Sequence, residues 1–337
     1  MIIVSDILQA ILESGAILVV DPTVIQTNPD DFLDHYGHIL DVIALVAKGK
    51  SGFTFYQSNS APRDKTNGVF FHSFCTIADN MGIKVDAIIN SYSDNFLSQN
   101  ADFRVISSDG ANISSFACPS QGNFSKYLAS IASEVAHYPI DGLLLDDLMF
   151  PNKRTCFCDR CRRLFASKWN IERDFSFEFL ESRDLLTSWD EERSTYINQT
   201  LKEVTDTVKS LKNIDISIIM KTDKETNSLI GSHEHFGQNI VELAKITNNL
   251  VLHINPWSEI SLSKADPDYQ QLLSSLSILK EYSGTGIKPS LYFWNITTPE
   301  KISTAIQLKD DLKVEKIYMD SSLPHDFTKR RTINLGF

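Results

Sequence analysis

The sequence lacks a long uninterrupted apolar run, since no stretch reaches the roughly 18 consecutive apolar residues that suggest a membrane-spanning helix. Its N-terminal stretch, MIIVSDILQAILESGAILVV, has neither a basic region nor a small-residue cleavage site. Asp6 and Glu13 also interrupt the apolar character of that stretch. We therefore expect a cytoplasmic protein with no membrane partner.

The sequence also lacks an excess of basic residues. Its 32 Lys and Arg residues are outnumbered by 43 Asp and Glu residues, which gives a formal net charge of -11. The phosphates of a nucleic acid would meet net repulsion, so we expect no nucleic-acid partner. Low-complexity segments and linkers rich in Gly, Pro or Ser are absent as well. One domain over residues 1–337 is the simplest organisation, and a homo-oligomer is left open.

What the sequence does contain is a regular alternation of short apolar runs with longer helical patterns, which is typical of repeated βα units. In segments 123–138 and 191–212 the apolar residues recur three and four apart, as in amphipathic helices packed outside a sheet. The runs lie at residues 16–21, 41–57, 82–90, 141–147, 215–221, 250–255, 287–295 and 315–320. Eight units predict a (β/α)₈ barrel, although a doubly wound open sheet would give a similar pattern. Residues 148–195 are too many for a plain βα loop and predict an elaborated insertion after the fourth strand.

Cysteine is scarce and unevenly placed, with five residues that do not suit a disulfide framework. Cys156, Cys158 and Cys161 form a C-x-C-x-x-C cluster, and a tetrahedral zinc would need a fourth soft ligand. Cys118 is our candidate, because the loops after strands three and four of a barrel emerge side by side. Such a four-thiolate zinc would be structural, since it has no open position for a substrate. The alternative is that these are reduced thiols buried as small hydrophobes.

Carboxylates end several of the apolar runs, at the face of a parallel barrel where active sites lie. Asp146 and Asp147 end the fourth run, and Asp21 and Asp320 end two others. Neighbouring side chains on a strand point opposite ways, so at most one of the adjacent pair should face the barrel axis unless the strand has already broken. Either acid could instead cap the next segment. Asp141 begins the fourth run, at the opposite face, and is expected to be structural.

Amides, carboxylates and aromatic rings near these strand ends would line a cleft suited to a sugar, whose hydroxyls take polar partners while its C–H face stacks on rings. The predicted substrate-binding residues are Tyr56, Asn90, Asp94, Lys221, Asp223, His253, Trp257, Trp294 and Asn295. Glycoside hydrolysis needs two carboxyl groups. We expect Asp146 to supply the first and Glu259 the second, ahead of Asp223 and Glu225.

Two motifs carry a resemblance to known families. CPSQGNF at 118–124 and CFCDRCRRLF at 156–165, on either side of an acid-ended strand, resemble the zinc-binding segments of family 42 β-galactosidases. That resemblance implies a zinc held by Cys118, Cys156, Cys158 and Cys161. A broader similarity is to barrels grouped as hypothetical glycosyl hydrolase family 6 and to family 29 α-L-fucosidases. The segments that carry it are GFTFYQSNSAPR at 52–63, GIKVDAIINSYSDN at 82–95 and DGLLLDD at 141–147.

The resemblance has departures that bear on the catalytic residues. The acid/base glutamate of family 42 would fall on Asp147, and its nucleophile has no counterpart in SLYFWNIT. The fucosidase pattern, with an aspartate nucleophile ending strand four, maps onto Asp146. We therefore predict a retaining glycoside hydrolase of galactoside or fucoside type, with Asp146 as nucleophile, Glu259 as acid and Asp147 as an orienting group. The alternatives are a non-catalytic sugar-binding barrel and a barrel enzyme dependent on a divalent metal.

Overall fold

A computed structural model describes residues 4–25, 27–222, 229–247, 249–254, 267–282, 289–294, 296 and 298–320. The strands are β1 (Ile17–Val20), β2 (Val42–Lys48), β3 (Lys84–Asn90), β4 (Arg104–Ile106), β5 (Asn112–Ala117), β6 (Gly142–Asp146), β7 (Asp215–Lys221), β8 (Asn249–Ile254), β9 (Ser290–Phe293) and β10 (Ile317–Asp320). The helices are α1 (Val4–Glu13), α2 (Pro29–Tyr36), α3 (Phe70–Met81), α4 (Phe124–Ala136), α5 (Asp159–Trp169), α6 (Phe177–Ser182), α7 (Leu186–Leu211), α8 (Ile230–Phe236), α9 (Ile240–Ala244), α10 (Pro267–Tyr282) and α11 (Pro299–Leu312).

Eight strands close into a parallel barrel in the order β1-β10-β9-β8-β7-β6-β3-β2. Pairing of β1 with β10 completes the barrel, so the open-sheet alternative is excluded. Each barrel strand overlaps one of the predicted apolar runs, and the (β/α)₈ prediction is confirmed. Nearly every residue of these strands is buried, as expected for parallel strands covered on both faces.

One predicted run differs from the structure. Only residues 42–48 of the run 41–57 form a strand, and GFTFYQ continues as a loop. Gly52 turns this loop at φ +86, and a β-carbon there would overlap the carboxylate of Asp94. Thr54 makes isolated bridges to Lys48 and Arg63 rather than joining the barrel. Phe55 and Tyr56 of the loop are fully buried, and Tyr56 packs against Phe71 of α3, which explains why the run reads like a strand.

Two elaborations stand beside each other at the carboxyl end of the barrel. The loop between β3 and α4 contains the antiparallel pair β4–β5, and the insertion after β6 contains α5 and α6. Because β3 and β6 are neighbouring strands, these loops are neighbours as predicted. At the opposite end, Oδ2 of Asp141 accepts a hydrogen bond from the Val85 amide at 2.9 Å, so Asp141 is structural. No helix within the described ranges is both long and apolar enough to cross a membrane.

The register of the strands decides which side chains face the barrel axis. Asn90 pairs with Asp146, Lys221 with His253, and His253 with Tyr292. Partners in a parallel register point to the same face, and alternate residues along a strand share that face. We call the inward-facing residues near the carboxyl ends of the strands the inner ring. Its members are Asn90, Asp146, Lys221, His253, Tyr292 and Asp320.

Candidate active site

The centre of the inner ring is a buried cluster of opposite charges. The Lys221 ammonium lies 2.8 Å from Oδ1 of Asp146 and 3.2 Å from Oδ1 of Asp147. All three side chains are at most 10% exposed. The second oxygen of Asp147, Oδ2, lies 3.0 Å from the ammonium of Lys50, which is largely exposed. The cluster thus connects the ends of β6 and β7 with the loop after β2.

Both aspartates reach the same ammonium because the strand has ended between them. Asp147 has φ +49, in the left-handed region that Asp tolerates better than most residues. Its amide donates a hydrogen bond of 2.7 Å to Oδ1 of Asp146. The alternation that would separate two neighbouring strand residues therefore does not apply here.

The electrostatics of the cluster keep Asp146 ionised. Burial by itself would raise the pKa of Asp146, but the positive charges of Lys221 and Lys50 outweigh it and hold the pKa below its ordinary value. Burial would likewise lower the pKa of Lys221, yet Asp146 and Asp147 raise it. A carboxylate ionised at neutral pH can act as a nucleophile or base, whereas a protonated Lys221 cannot attack a substrate.

A second ion pair supports the loops around the cluster. The fully buried Lys48 ammonium lies 3.0 Å from Oδ2 of Asp94 and donates to the Asn90 carbonyl at 2.8 Å. Tyr127 donates to the same carboxylate at 3.0 Å, and the Leu97 amide donates to Oδ1 at 2.8 Å. Both oxygens of Asp94 are thus engaged within the protein. Asp94 holds the loop after β3 in place.

The opposite side of the mouth is aromatic and acidic. The rings of His253 and Tyr292 stack, with centroids 5.5 Å apart and an interplanar angle of 18°. The Tyr292 hydroxyl donates to Oδ2 of Asp320 at 3.3 Å. Trp294, just past β9, is 49% exposed and presents a ring to solvent at this end of the barrel.

Among the described residues, most of the predicted strand-end side chains come together at the mouth, but Tyr56 does not. That ring is completely buried, packs against Phe71 and Tyr138, and donates its hydroxyl to Glu134 at 3.1 Å. A ring enclosed between helices cannot stack on a sugar, so we leave Tyr56 out of the site. The predicted residues Asp223, Glu225, Trp257, Glu259 and Asn295 lie outside the described ranges.

Sequence reasoning missed two residues of this region. Lys50 lies two residues beyond the end of β2, and this position just after a strand is a sequence signal for the active face. Tyr292 lies in an apolar run, and only the strand register shows that it faces inward beside His253.

The four predicted cysteines form one buried cluster beside the mouth. Cys118 comes from the loop after β3, and Cys156, Cys158 and Cys161 come from the insertion after β6. Their sulfur atoms all lie within 4.8 Å of one another, and Cys118 Sγ is 3.7 Å from that of Cys158 and 3.6 Å from that of Cys161. Hydrogen bonds from Cys118 and the other thiols lower the pKa of Cys158. This group could hold a metal ion.

A closed parallel barrel with polar residues at the carboxyl ends of its strands places the chain among the (β/α)₈ barrels. Several similar solved structures are glycoside hydrolases. The glycoside hydrolase domain of PgaB (BpsB) from Bordetella bronchiseptica has a TM-score of 0.71 at 14% identity, covering 94% of this chain and 96% of that one. The catalytic domain of β-amylase from Paenibacillus polymyxa has a TM-score of 0.62 at 11% identity, covering 92% and 93%.

A third similar structure is larger than this protein. α-L-Fucosidase isoenzyme 2 from Paenibacillus thiaminolyticus has a TM-score of 0.57 at 14% identity, covering 88% of this chain but 43% of that one. No family model matches the sequence, and no curated protein matches it either. At these identities the similarity establishes the fold, and the chemistry has to be argued from the residues of this chain.

Proposed function

We propose that the protein is a glycoside hydrolase in which Asp146 is the ionised carboxylate that acts at the anomeric centre. The observation that carries the proposal is the buried contact of 2.8 Å between Asp146 and Lys221 at the carboxyl end of β6. A lysine in this position keeps the carboxylate charged without consuming its second oxygen. Glycoside hydrolysis needs such a carboxylate together with a second carboxyl group that supplies a proton.

The surroundings of Asp146 support a sugar as substrate. Asp147, Lys50 and His253 offer charged and polar groups for hydroxyls, and the exposed ring of Trp294 offers a face for stacking. We assign Asp147 the role of orienting substrate hydroxyls or holding the loop, because its two oxygens already bridge Lys221 and Lys50. A galactoside or fucoside is the first substrate type to test.

We also propose that the cysteine cluster binds a structural zinc. Zinc–sulfur bonds of about 2.3 Å in a tetrahedron place the sulfur atoms about 3.8 Å apart. The distances of 3.6 and 3.7 Å from Cys118 Sγ are close to that value. With four thiolates the ion would have no open coordination position, so it would hold the loops after β3 and β6 together and take no part in the reaction.

The divalent-metal alternative receives less support from the geometry. A catalytic divalent cation would compete with the ammonium groups of Lys221 and Lys50 for the same carboxylate oxygens. A non-catalytic sugar-binding barrel would bind its sugar at the same mouth, and only the absence of hydrolysis would distinguish it.

A retaining mechanism with Glu259 as the acid stays a prediction from the sequence.

The proposal is tested with a panel of aryl α- and β-glycosides, beginning with fucosides and galactosides. The wild-type protein should hydrolyse at least one member, and Asp146→Asn should suppress that turnover. Asp206→Asn, which changes an exposed carboxylate on α7, is the matched control and should leave turnover unchanged. If no member is hydrolysed while calorimetry shows a monosaccharide binding, the sugar-binding barrel replaces the enzyme.

A further inference from the structure

Asp320 occupies the position opposite Asp146 in the barrel. It ends β10, which is four strands away from β6 in either direction around the closed sheet. The Tyr318 hydroxyl reaches Oδ2 of Asp86 at 2.9 Å inside the barrel, so alternation along β10 also turns Asp320 inward. The hydrogen bond of 3.3 Å from Tyr292, itself a member of the inner ring, agrees with this orientation. A ligand in the mouth would lie between the two carboxyl groups.

The surroundings of Asp320 differ from those of Asp146. No ammonium or guanidinium group among the described residues lies within ion-pair distance of its carboxylate. The titratable groups that act on it are Asp21 just after β1, Tyr292 from β9, Asp146 from β6 and Lys50 from the loop after β2. Burial and the negative charge of Asp21 raise the pKa of Asp320 to about 6, against the weaker opposing effects of Tyr292 and Lys50. Two inner-ring carboxyl groups thus have opposite protonation preferences.

We propose that Asp320 is the acid that protonates the leaving group when Asp146 acts at the anomeric carbon. This assignment rests on the proposed glycoside hydrolase function and supplies its second carboxyl group from residues that the structure describes. The proton of the Asp320 carboxyl group passes to the glycosidic oxygen, and the electron pair of the breaking C–O bond stays with that oxygen as the alcohol leaves.

The position of the two strands favours inversion. Strands about 4.8 Å apart, eight in number and tilted by about 36°, close into a barrel roughly 15 Å across. Each aspartate reaches about 2.5 Å inward from its Cα, which leaves on the order of 10 Å between the carboxyl carbons. This separation is nearer to the roughly 6.5–9.5 Å of inverting enzymes than to the about 5–5.5 Å of retaining enzymes. Asp146 would then take a proton from a water whose oxygen forms the new bond to the anomeric carbon.

The first experiment compares Asp320→Asn with Glu259→Gln on two glycosides of the same sugar, one with a dinitrophenyl and one with a methyl leaving group. General acid catalysis contributes about 10²–10⁴-fold, and a dinitrophenolate needs no proton to leave. Asp320→Asn should therefore lose at least about 100-fold on the methyl glycoside and much less on the dinitrophenyl glycoside. Glu259→Gln should not show this difference. Nuclear magnetic resonance of the first product anomer should show inversion.

The second experiment tests the acid through its neighbours, without removing it. Asp21→Asn removes a charge that raises the pKa of Asp320. The pH above which activity decreases should therefore be lower in this variant than in the wild type. Tyr292→Phe removes a hydrogen bond that favours the ionised form of Asp320, so the pH above which activity decreases should be higher in this variant. If Asp320 had a purely structural role, these variants would change the rate but would not shift their pH–activity profiles in opposite directions.

The outcomes separate this inference from the function on which it rests. If the wild-type protein hydrolyses no glycoside, both are wrong. If the wild-type protein is active and Asp320→Asn cleaves the methyl glycoside normally, the glycosidase stands and Asp320 is not the acid. A leaving-group difference in Glu259→Gln instead assigns the acid to Glu259, and product of retained configuration overturns the inverting mechanism.

Discussion

The ammonium group of Lys221 lies 2.8 Å from Oδ1 of Asp146, and both side chains are about nine-tenths buried. Charges removed from water in this way are tolerated only while each has its partner. The pair therefore serves the stability of the barrel as well as the protonation state of Asp146. Removing one member affects both properties.

We predict that Lys221→Met lowers the free energy of unfolding by about 3–5 kcal/mol, because it leaves the buried Asp146 carboxylate without its ion-pair partner and Asp147 with Lys50 alone. The pKa of Asp146 should rise at the same time. Stability from a carboxyl group with a lowered folded pKa is present above its unfolded pKa and is lost as the pH falls through the folded value. The difference in the free energy of unfolding between Lys221→Met and the wild type should therefore become smaller below pH about 4. Urea unfolding measures this difference. Lys202→Met, in an exposed pair with Asp206, is the control and should change stability by at most about 1 kcal/mol.

The cysteine cluster predicts close to one zinc per chain in protein prepared with adequate zinc. Cys158→Ser should lose the metal and unfold at a lower temperature, since a structural zinc contributes directly to folding. Cys75 is a buried thiol on α3 outside the cluster, so Cys75→Ala should keep the metal. Elemental analysis and thermal unfolding of both variants provide the measurement. Wild-type protein without stoichiometric metal would contradict the assignment.

Asp147→Asn should reduce turnover less than Asp146→Asn does. The amide keeps an oxygen for a substrate hydroxyl or for Lys50, while the ionised Asp146 stays paired with Lys221. We expect a larger effect on KM than on kcat, measured on whichever aryl glycoside the wild-type protein hydrolyses. If Asp147→Asn abolishes turnover and Asp146→Asn does not, the two roles have to be exchanged.

Trp294→Ala should weaken sugar binding by roughly fivefold, or about 1 kcal/mol, through loss of a stacking face. Trp169 on α5 is similarly exposed, at 40% against 49% for Trp294, and does not belong to a barrel strand end. Trp169→Ala should leave binding unchanged in titration calorimetry. Equal losses in both variants would mean that Trp294 has no special contact with the ligand.

The raised pKa of Asp320 predicts a pH dependence of stability that needs no substrate. A carboxyl group whose folded pKa is raised contributes stability below its unfolded pKa, and that contribution is lost as the pH rises through the folded value of about 6. Asp320→Asn does not ionise and should escape this loss. The free energy of unfolding of Asp320→Asn, relative to that of the wild type, should therefore increase by on the order of 1–2 kcal/mol between pH 4 and pH 7. Asp206→Asn should show no such gain in parallel unfolding experiments.

The barrel was predictable because its signal is repeated along the chain. Eight apolar runs each contain one strand, and adjacency of β3 and β6 was enough to bring Cys118 towards the later cysteines. The position of Asp146 followed from the same reasoning, since the residue that ends a parallel strand is at the active face.

What the sequence could not predict depends on contacts between distant segments. Tyr56 looked available for stacking, but helices α3 and α4 enclose it. Nothing near Lys48 or Lys50 in sequence indicates that their partners are Asp94 and Asp147. The left-handed conformation of Asp147, which lets it share Lys221 with its neighbour, is likewise set by the surrounding structure.

The approach of Cys118 to Cys158 and Cys161 has a consequence for engineering this barrel. The insertion after β6 is anchored through a residue that belongs to a different loop, so it is not a self-contained module. A transplant of that insertion into another barrel would have to carry the segment around Cys118 with it. Variation of ligand preference would accordingly be sought by recombining both loops as one unit rather than by shuffling either one.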